Sequence, residues 1–256
     1  MNVYLSKLLL CTALAGVLLF VVSGCGGDSG KITVKSGPTV SIQVTPMATV
    51  EVPSGPIPTR AADFASLCKK TDQKRWDKMP SMIIDPHLSY SAVIQTEKGD
   101  ITLKLLPDIA PWTVNNFVFL ACSGFYDGLT FHQVMLKPLP QGLPHPFVQA
   151  GDPSGSSLAD PVEGGPGYGI PTEISEHKVL NGTVAMASRG PGSPTSGSQF
   201  FIALEDAPEW DGKFTVFGEV VSGLDVLQRL TPRNPQQHGP PGDKILGVSI
   251  TESPSP

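Results

Sequence analysis

Cysteine, histidine and glutamine are the residues of this 256-residue chain with chemistry to offer, and their spacing restricts what that chemistry can be. No Cys and His positions recur at metal-ligand spacing, so no metal site is expected. No Ser/His/Asp constellation for nucleophilic catalysis is visible either. Glutamines stand inside apolar strings: Gln133 in Phe131-His-Gln-Val, Gln149 in Phe147-Val-Gln-Ala, Gln199 in Ser198-Gln-Phe-Phe. A neutral amide can donate and accept hydrogen bonds but cannot act as a nucleophile. Of the four cysteines, Cys68 and Cys122 lie beyond the apolar N-terminus. They read either as a disulfide or as two unpaired thiols, because sequence does not give their separation in space. The formal charge is −5, with no basic cluster longer than Lys69-Lys70, so nucleic-acid binding has no electrostatic footprint.

The N-terminus carries the other cysteine chemistry. Lys7 supplies a positive start, and Leu8 to Val22 is an apolar or small-residue run too short for a comfortable membrane span. It ends in Val22-Ser23-Gly24-Cys25, which resembles a bacterial lipobox, the motif in which the cysteine is lipidated and becomes the first residue. The alternative is a plain signal peptide or an anchor helix. The lipobox reading makes residues 1–24 a lipoprotein signal peptide, Cys25 a lipid carrier, and the mature protein an extracytoplasmic, membrane-anchored lipoprotein. In that compartment a Cys68–Cys122 disulfide is permitted. Residues 25–60 are rich in Gly, Ser, Thr and Pro and read as a flexible linker, unable to bury enough apolar surface to offset ordering. Residues 61–89 form an extension, with a short helix expected within 61–78, and residues 90–252 form the main domain.

That domain has to position the glutamines. Ser91–Thr96 and Ile101–Leu106 are strand-like, with a hairpin turn at Lys98-Gly99-Asp100. The period then changes. Pro111 suits a first helical turn, and Val114, Phe117, Val118 and Ala121 follow on one face up to a Gly124 stop. Short strands are expected at 129–135, 147–150, 183–187, 199–204, 215–220 and 245–251, with a second helix over 221–230. Many short strands and two isolated helices point to a barrel or sandwich.

Four segments in order then resemble the cyclophilin family: Phe125-Tyr-Asp-Gly-Leu-Thr-Phe-His132, Val148-Gln-Ala-Gly-Asp-Pro153, Gly197-Ser-Gln-Phe-Phe-Ile202 and Asp211-Gly-Lys-Phe-Thr-Val-Phe-Gly218. The helix Ala110-Pro-Trp-Thr-Val-Asn-Asn-Phe117 matches the family's first helix. The resemblance implies a mainly β fold, a closed eight-stranded antiparallel barrel capped by two helices. It implies cis/trans isomerisation at Xaa-Pro bonds of proline-containing polypeptides, without a cofactor; a monomer is expected, though nothing in the sequence fixes the oligomeric state. It places Phe201 at the floor of a proline pocket and Gln149 and Gln199 in the hydrogen-bond network that holds the substrate backbone. Phe147 or its neighbour supplies an apolar wall, Trp210 a rim, and Phe214 stands where many members have His. Ala187, Ser188 and Arg189 lie where the family's substrate groove runs, and His132 reads as a structural barrel histidine.

The sequence departs from the family at the residue after Phe131-His132. The family has an Arg there, the donor to the proline nitrogen, and this chain has Gln133. The expectation is a peptidyl-prolyl isomerase acting on exported proteins at a reduced rate. The alternative is a catalytically weak proline-peptide-binding or chaperone module. Residues 136–146 are an insertion relative to the family, either a tolerated surface loop or an added edge of the groove. Arg189 reads as a solvated loop residue or as a partial replacement for the missing cation.

Overall fold

The structure is a computed structural model that describes residues 64–138, 145–155, 164–188, 193–237 and 239–255. Cys25, the signal peptide, the linker, Arg189 and residues 139–144 of the insertion lie outside the described residues. Eight strands form one antiparallel sheet: β1 (Ser89–Thr96), β2 (Gly99–Leu105), β3 (Gln133–Met135), β4 (Phe147–Ala150), β5 (Thr183–Ser188), β6 (Thr195–Ala203), β7 (Val216–Ser222) and β8 (Ile245–Ser253). Their order across the sheet is β3-β4-β6-β5-β7-β2-β1-β8. Among the described residues three α-helices accompany them: α1 (Phe64–Leu67), α2 (Pro111–Cys122) and α3 (Leu224–Gln228).

The closed barrel expected from the resemblance needs correction. The edge strands β3 and β8 form no ladder with each other, so the sheet is an open half-barrel. Among the described residues the two edges meet where residues 128–131, ahead of β3, touch residues 243–245 at the start of β8. There Gly128 N donates to Ile245 O (2.8 Å), Ile245 N to Leu129 O (2.8 Å) and Phe131 N to Asp243 O (2.9 Å). The strand expected over 129–135 is correspondingly shortened to Gln133–Met135. Residues 129–132 are used for this crossing instead of a ladder.

Strand alternation decides what faces inward. Ala92 and Ile94 on β1, and Ile101, Leu103 and Leu105 on β2, are buried, while Thr102 and Lys104 point away. The hairpin turn is Glu97-Lys98, one register earlier than expected, because Thr96 pairs with Gly99. Gly99 adopts φ 127°, a conformation that suits glycine. Thr96 Oγ1 fastens the turn by accepting from Lys98 N and donating to Gly99 O.

Helix α2 starts at Pro111 as expected, but it is not apolar on a single face. Thr113, Asn115 and Asn116 are buried along with the apolar residues: Thr113 bonds Glu173, Asn115 bonds the 81–84 segment, and Asn116 reaches Gly197 and Tyr168. Ile83 N donates to Asn115 Oδ1 (2.7 Å), and Trp76 packs edge-on against Phe119 with centroids 5.3 Å apart. The helix N-terminus is capped by Glu173. Its carboxylate accepts from Trp112 N, Thr113 N and Thr113 Oγ1, where the positive end of the helix favours an anion.

The helix expected within 61–78 is described only over Phe64–Leu67. Residues 69–88 beyond it are irregular and pack on α2 through Asn115 and Phe119, tertiary contacts outweighing local propensity. Cys68 and Cys122 are joined in a disulfide across 54 residues, which decides between the two readings of that pair.

Candidate active site

Strand β6 carries the side chains that separate core from site. Every residue of Thr195–Ala203 is buried, so the alternation is invisible in exposure alone. It appears in the partners. Phe200 meets Phe117, Tyr126 and Phe217 in the interior. Phe201, one residue on, turns to the outer face and meets Phe214 (centroids 5.0 Å), Trp210 (5.3 Å) and Phe147 (6.2 Å), all near-perpendicular. Edge-to-face packing of this kind suits rings whose faces are negative and edges positive. Leu106, Met135, Val179, Ala185, Ala203, Ala207 and Val216 complete this second, smaller apolar cluster.

Register lines the amides up with the aromatic floor. Gln133 on β3 pairs with Gln149 on β4, Gln149 with Phe201 on β6, and Phe201 with Ala185 on β5. Directly opposed residues of an antiparallel pair hold their side chains about 4.5–5.5 Å apart. One row therefore runs from Gln133 across Gln149 to the Phe201 ring. A second row, Met135–Phe147–Ala203, lies beside it. Gln149 Nε2 donates to Gln199 Oε1 at 3.0 Å. Gln199 is buried, and its Nε2 has no acceptor among the described residues. Leaving such a donor unpaired costs about 1–3 kcal/mol. Gln133 is half-buried and makes no side-chain hydrogen bond among the described residues.

Several interior contacts fix this row. Ser198 Oγ donates to Gly151 O (2.7 Å), and Ser196 Oγ accepts from Gln199 N (2.9 Å). Gly151, at φ 91°, lies so close to β6 that a Cβ there would sit 2.2 Å from Ser198 O. Asn116 Nδ2 donates to Gly197 O (2.7 Å), and Tyr168 OH donates to Asn116 Oδ1 (2.8 Å). Helix α2 thereby sets the start of the strand that carries Gln199 and Phe201.

His132 lies inside. It is fully buried, and neither ring nitrogen has a hydrogen-bond partner among the described residues. Burial pushes its pKa down to about 4, with Asp152 opposing that shift and Arg233 adding to it. It is therefore a neutral interior histidine at physiological pH.

The structure thus brings together Gln133, Gln149, Gln199, Phe147, Phe201, Trp210 and Phe214. Ala187 is buried near the end of β5, and Ser188 pairs with Thr195 at the strand's margin, away from the aromatic basin. Sequence reasoning did not single out Met135, Ala185 or Val216 as lining residues, and it passed over His145. The available signal for His145 was its place in the insertion two residues before Phe147, with Glu205 and Glu209 four apart beside Trp210.

Among the described residues this basin is aromatic and bordered by amides and holds no metal-ligand cluster, an arrangement suited to holding an apolar ring by shape and hydrogen bonding. Residues 91–250 match the model of the family described as cyclophilin type peptidyl-prolyl cis-trans isomerase/CLD. The chain belongs to this family of peptidyl-prolyl cis-trans isomerases. It is 44% identical over 161 residues to a peptidyl-prolyl cis-trans isomerase of Synechococcus elongatus, covering 62% of this chain and 94% of that one. Among solved structures it is similar to a cyclophilin type peptidyl-prolyl cis-trans isomerase from Cryptosporidium parvum, with TM-score 0.53 and 27% identity, covering 65% of this chain and 99% of that one. A second structure of the C. parvum protein, in the presence of the dipeptide Ala-Pro, covers 63% of this chain and 98% of that one at the same TM-score and identity.

Proposed function

We propose that the outer-face basin isomerises Xaa-Pro bonds of exported polypeptides, with the proline ring on Phe201 and the amide row along the peptide. The observation that carries the reading is the register of Gln133, Gln149 and Phe201 across three adjacent strands. The Ala-Pro dipeptide present with the C. parvum relative supports it.

The reaction asks for little chemistry. The barrier is about 18–20 kcal/mol and comes from partial double-bond character in the C–N bond. As the amide twists, the proline nitrogen regains its lone pair. A donor aimed at that nitrogen stabilises the twisted state more than the planar one, and only such differential binding accelerates the reaction. Phe147, Phe201, Trp210 and Phe214 hold the ring and exclude water. A peptide carbonyl laid over the Gln149–Gln199 pair would satisfy the Gln199 donor. Gln133, at the end of the row and free of other hydrogen bonds, is the donor to the proline nitrogen. It is neutral, and a charge-assisted bond is roughly twice as strong. A lost preorganised donor costs about 2.7–4 kcal/mol, or roughly 10²–10³ in rate, so this isomerase works below the rate of Arg-bearing relatives.

The same reading puts the domain outside the cytoplasm, held to a membrane through a lipid; the lipobox-like Val22-Ser23-Gly24-Cys25 and the Gly/Ser/Thr/Pro-rich stretch over 25–60 support it. The Cys68–Cys122 disulfide supports an oxidising compartment.

The test is the rate of cis/trans exchange of a short Xaa-Pro peptide by NMR, using the full-length protein and Gln133→Arg. Catalysis by the wild type and a rate higher by about 10²-fold in the variant are expected. Peptide shifts without faster exchange in either protein would make the domain a proline-binding module and end the isomerase reading.

A further inference from the structure

At the point where the 136–146 insertion rejoins β4, His145 stands between two glutamates. Its Nδ1 lies 2.8 Å from Glu205 Oε1 and its Nε2 2.8 Å from Glu209 Oε2. Its ring meets Trp210 edge-on, with centroids 5.3 Å apart. Trp210 in turn touches Phe201, Phe214 and Phe147, three walls of the basin. Glu205 lies just beyond β6, while Glu209 and Trp210 belong to the same 3-10 turn, Pro208–Trp210. One imidazole therefore joins the β4 edge, the end of β6 and the turn that carries the rim tryptophan.

We propose that His145 is a positioning residue of the proline basin, clamping Trp210 in place through Glu205 and Glu209, and that this clamp makes prolyl-peptide affinity fall as pH rises. The proposal rests on the reading of the basin as the prolyl site.

The chemistry of the ring dictates the direction. Only the imidazolium donates from both nitrogens, whereas the neutral ring has one donor and one lone pair. A neutral His145 would turn that lone pair toward a carboxylate, so one of the two contacts is lost. The hydrogen bond with Glu205, and then that with Glu209, raises the pKa of His145 above its ordinary value. Glu209 is lowered, by its own backbone N–H first, then by His145, with Lys213 adding to the effect. The charged groups facing the ring are thus Glu205 and Glu209, with Lys213 beyond Glu209. The clamp is complete below the raised pKa of His145 and half released above it.

The test measures KM and kcat for an Ala-Pro-containing peptide across neutral and mildly alkaline pH in the full-length wild type, His145→Ala and Glu209→Gln. In the wild type, KM should rise with pH while kcat holds steady. His145→Ala should show KM raised by about fivefold and flat with pH, the pattern of lost uniform binding. Glu209→Gln should keep its low KM to higher pH, because the new amide can donate to the neutral ring. A second readout follows the His145 ring and the Trp210 indole N–H by NMR, which should move together with one midpoint. A His145→Ala profile that tracks the wild type, or an indole that ignores the His145 titration, overturns the clamp. A wild type that neither binds nor turns over the peptide overturns the basin reading instead. The shared NMR midpoint still decides the clamp in that case.

Discussion

Phe200 and Phe201 are neighbours in sequence, alike in chemistry and both nearly inaccessible, at 1% and 5% exposure, yet they belong to different parts of the molecule. Phe200 completes an aromatic cluster in the interior with Phe117, Tyr126 and Phe217. Phe201 is the centre of a shallow cluster on the opposite face, ringed by Trp210, Phe214, Phe147 and glutamines. The interior is packed between the concave face of the open sheet and α2. The outer basin is bordered by amides, with Gln149 and Gln199 hydrogen-bonded beside the Phe201 ring. Burial alone does not separate them, and only the identity of the neighbours does.

Truncation should separate them most sharply. Phe200→Ala is expected to lose about 3–5 kcal/mol of stability, as for other buried aromatics. Phe201→Ala should unfold at no more than half that cost, yet lower prolyl exchange at least tenfold, because the ring that shapes the pocket is gone. Paired chemical denaturation and exchange assays check both, and equal stability losses would dissolve the distinction. Breaking the disulfide with Cys122→Ser tests the interior from its end. Closing a loop of 54 residues is worth about 4 kcal/mol in the chain-entropy account, and kcat of the folded fraction should stay unchanged.

The third test uses pH. Between the ordinary histidine value of 6.5 and about 4, the unfolded chain binds a proton at His132 that the native interior excludes. Native stability should therefore fall as pH drops through that window, by roughly 3 kcal/mol in all from this residue. The His132→Gln variant should lose that part of the slope in melts recorded at neutral and acidic pH. The smallest effect is expected at Phe214→His on the half-exposed outer wall. It should move stability by under about 1 kcal/mol and change exchange only modestly.

Much of this was legible in the residues. The strand at 147–150 and the start of α2 at Pro111 stand where alternation and proline chemistry put them. The strings around Gln149 and Gln199–Phe201 named the centre of the basin. Other features depend on contacts that no local pattern contains. The 69–88 segment is held without helix or strand by what α2 offers it, Asn115 and Phe119. The sheet stays open because residues 128–131 cross to 243–245 at one end only. Ala185, Met135 and Val216 look like ordinary strand residues until register sets them beside Phe201. His145 acquires its surroundings from segments some 60 residues away in the chain.

The Cys68–Cys122 bond also gives the domain a mechanical character. A pull applied to the chain ahead of Phe64 reaches Cys68 and passes through sulfur to Cys122, at the end of α2. Residues 69–121, which include β1, β2 and most of α2, are bypassed and bear no tension along their backbone. Load enters instead beside Phe125 and Tyr126, at the packed interior end of the molecule.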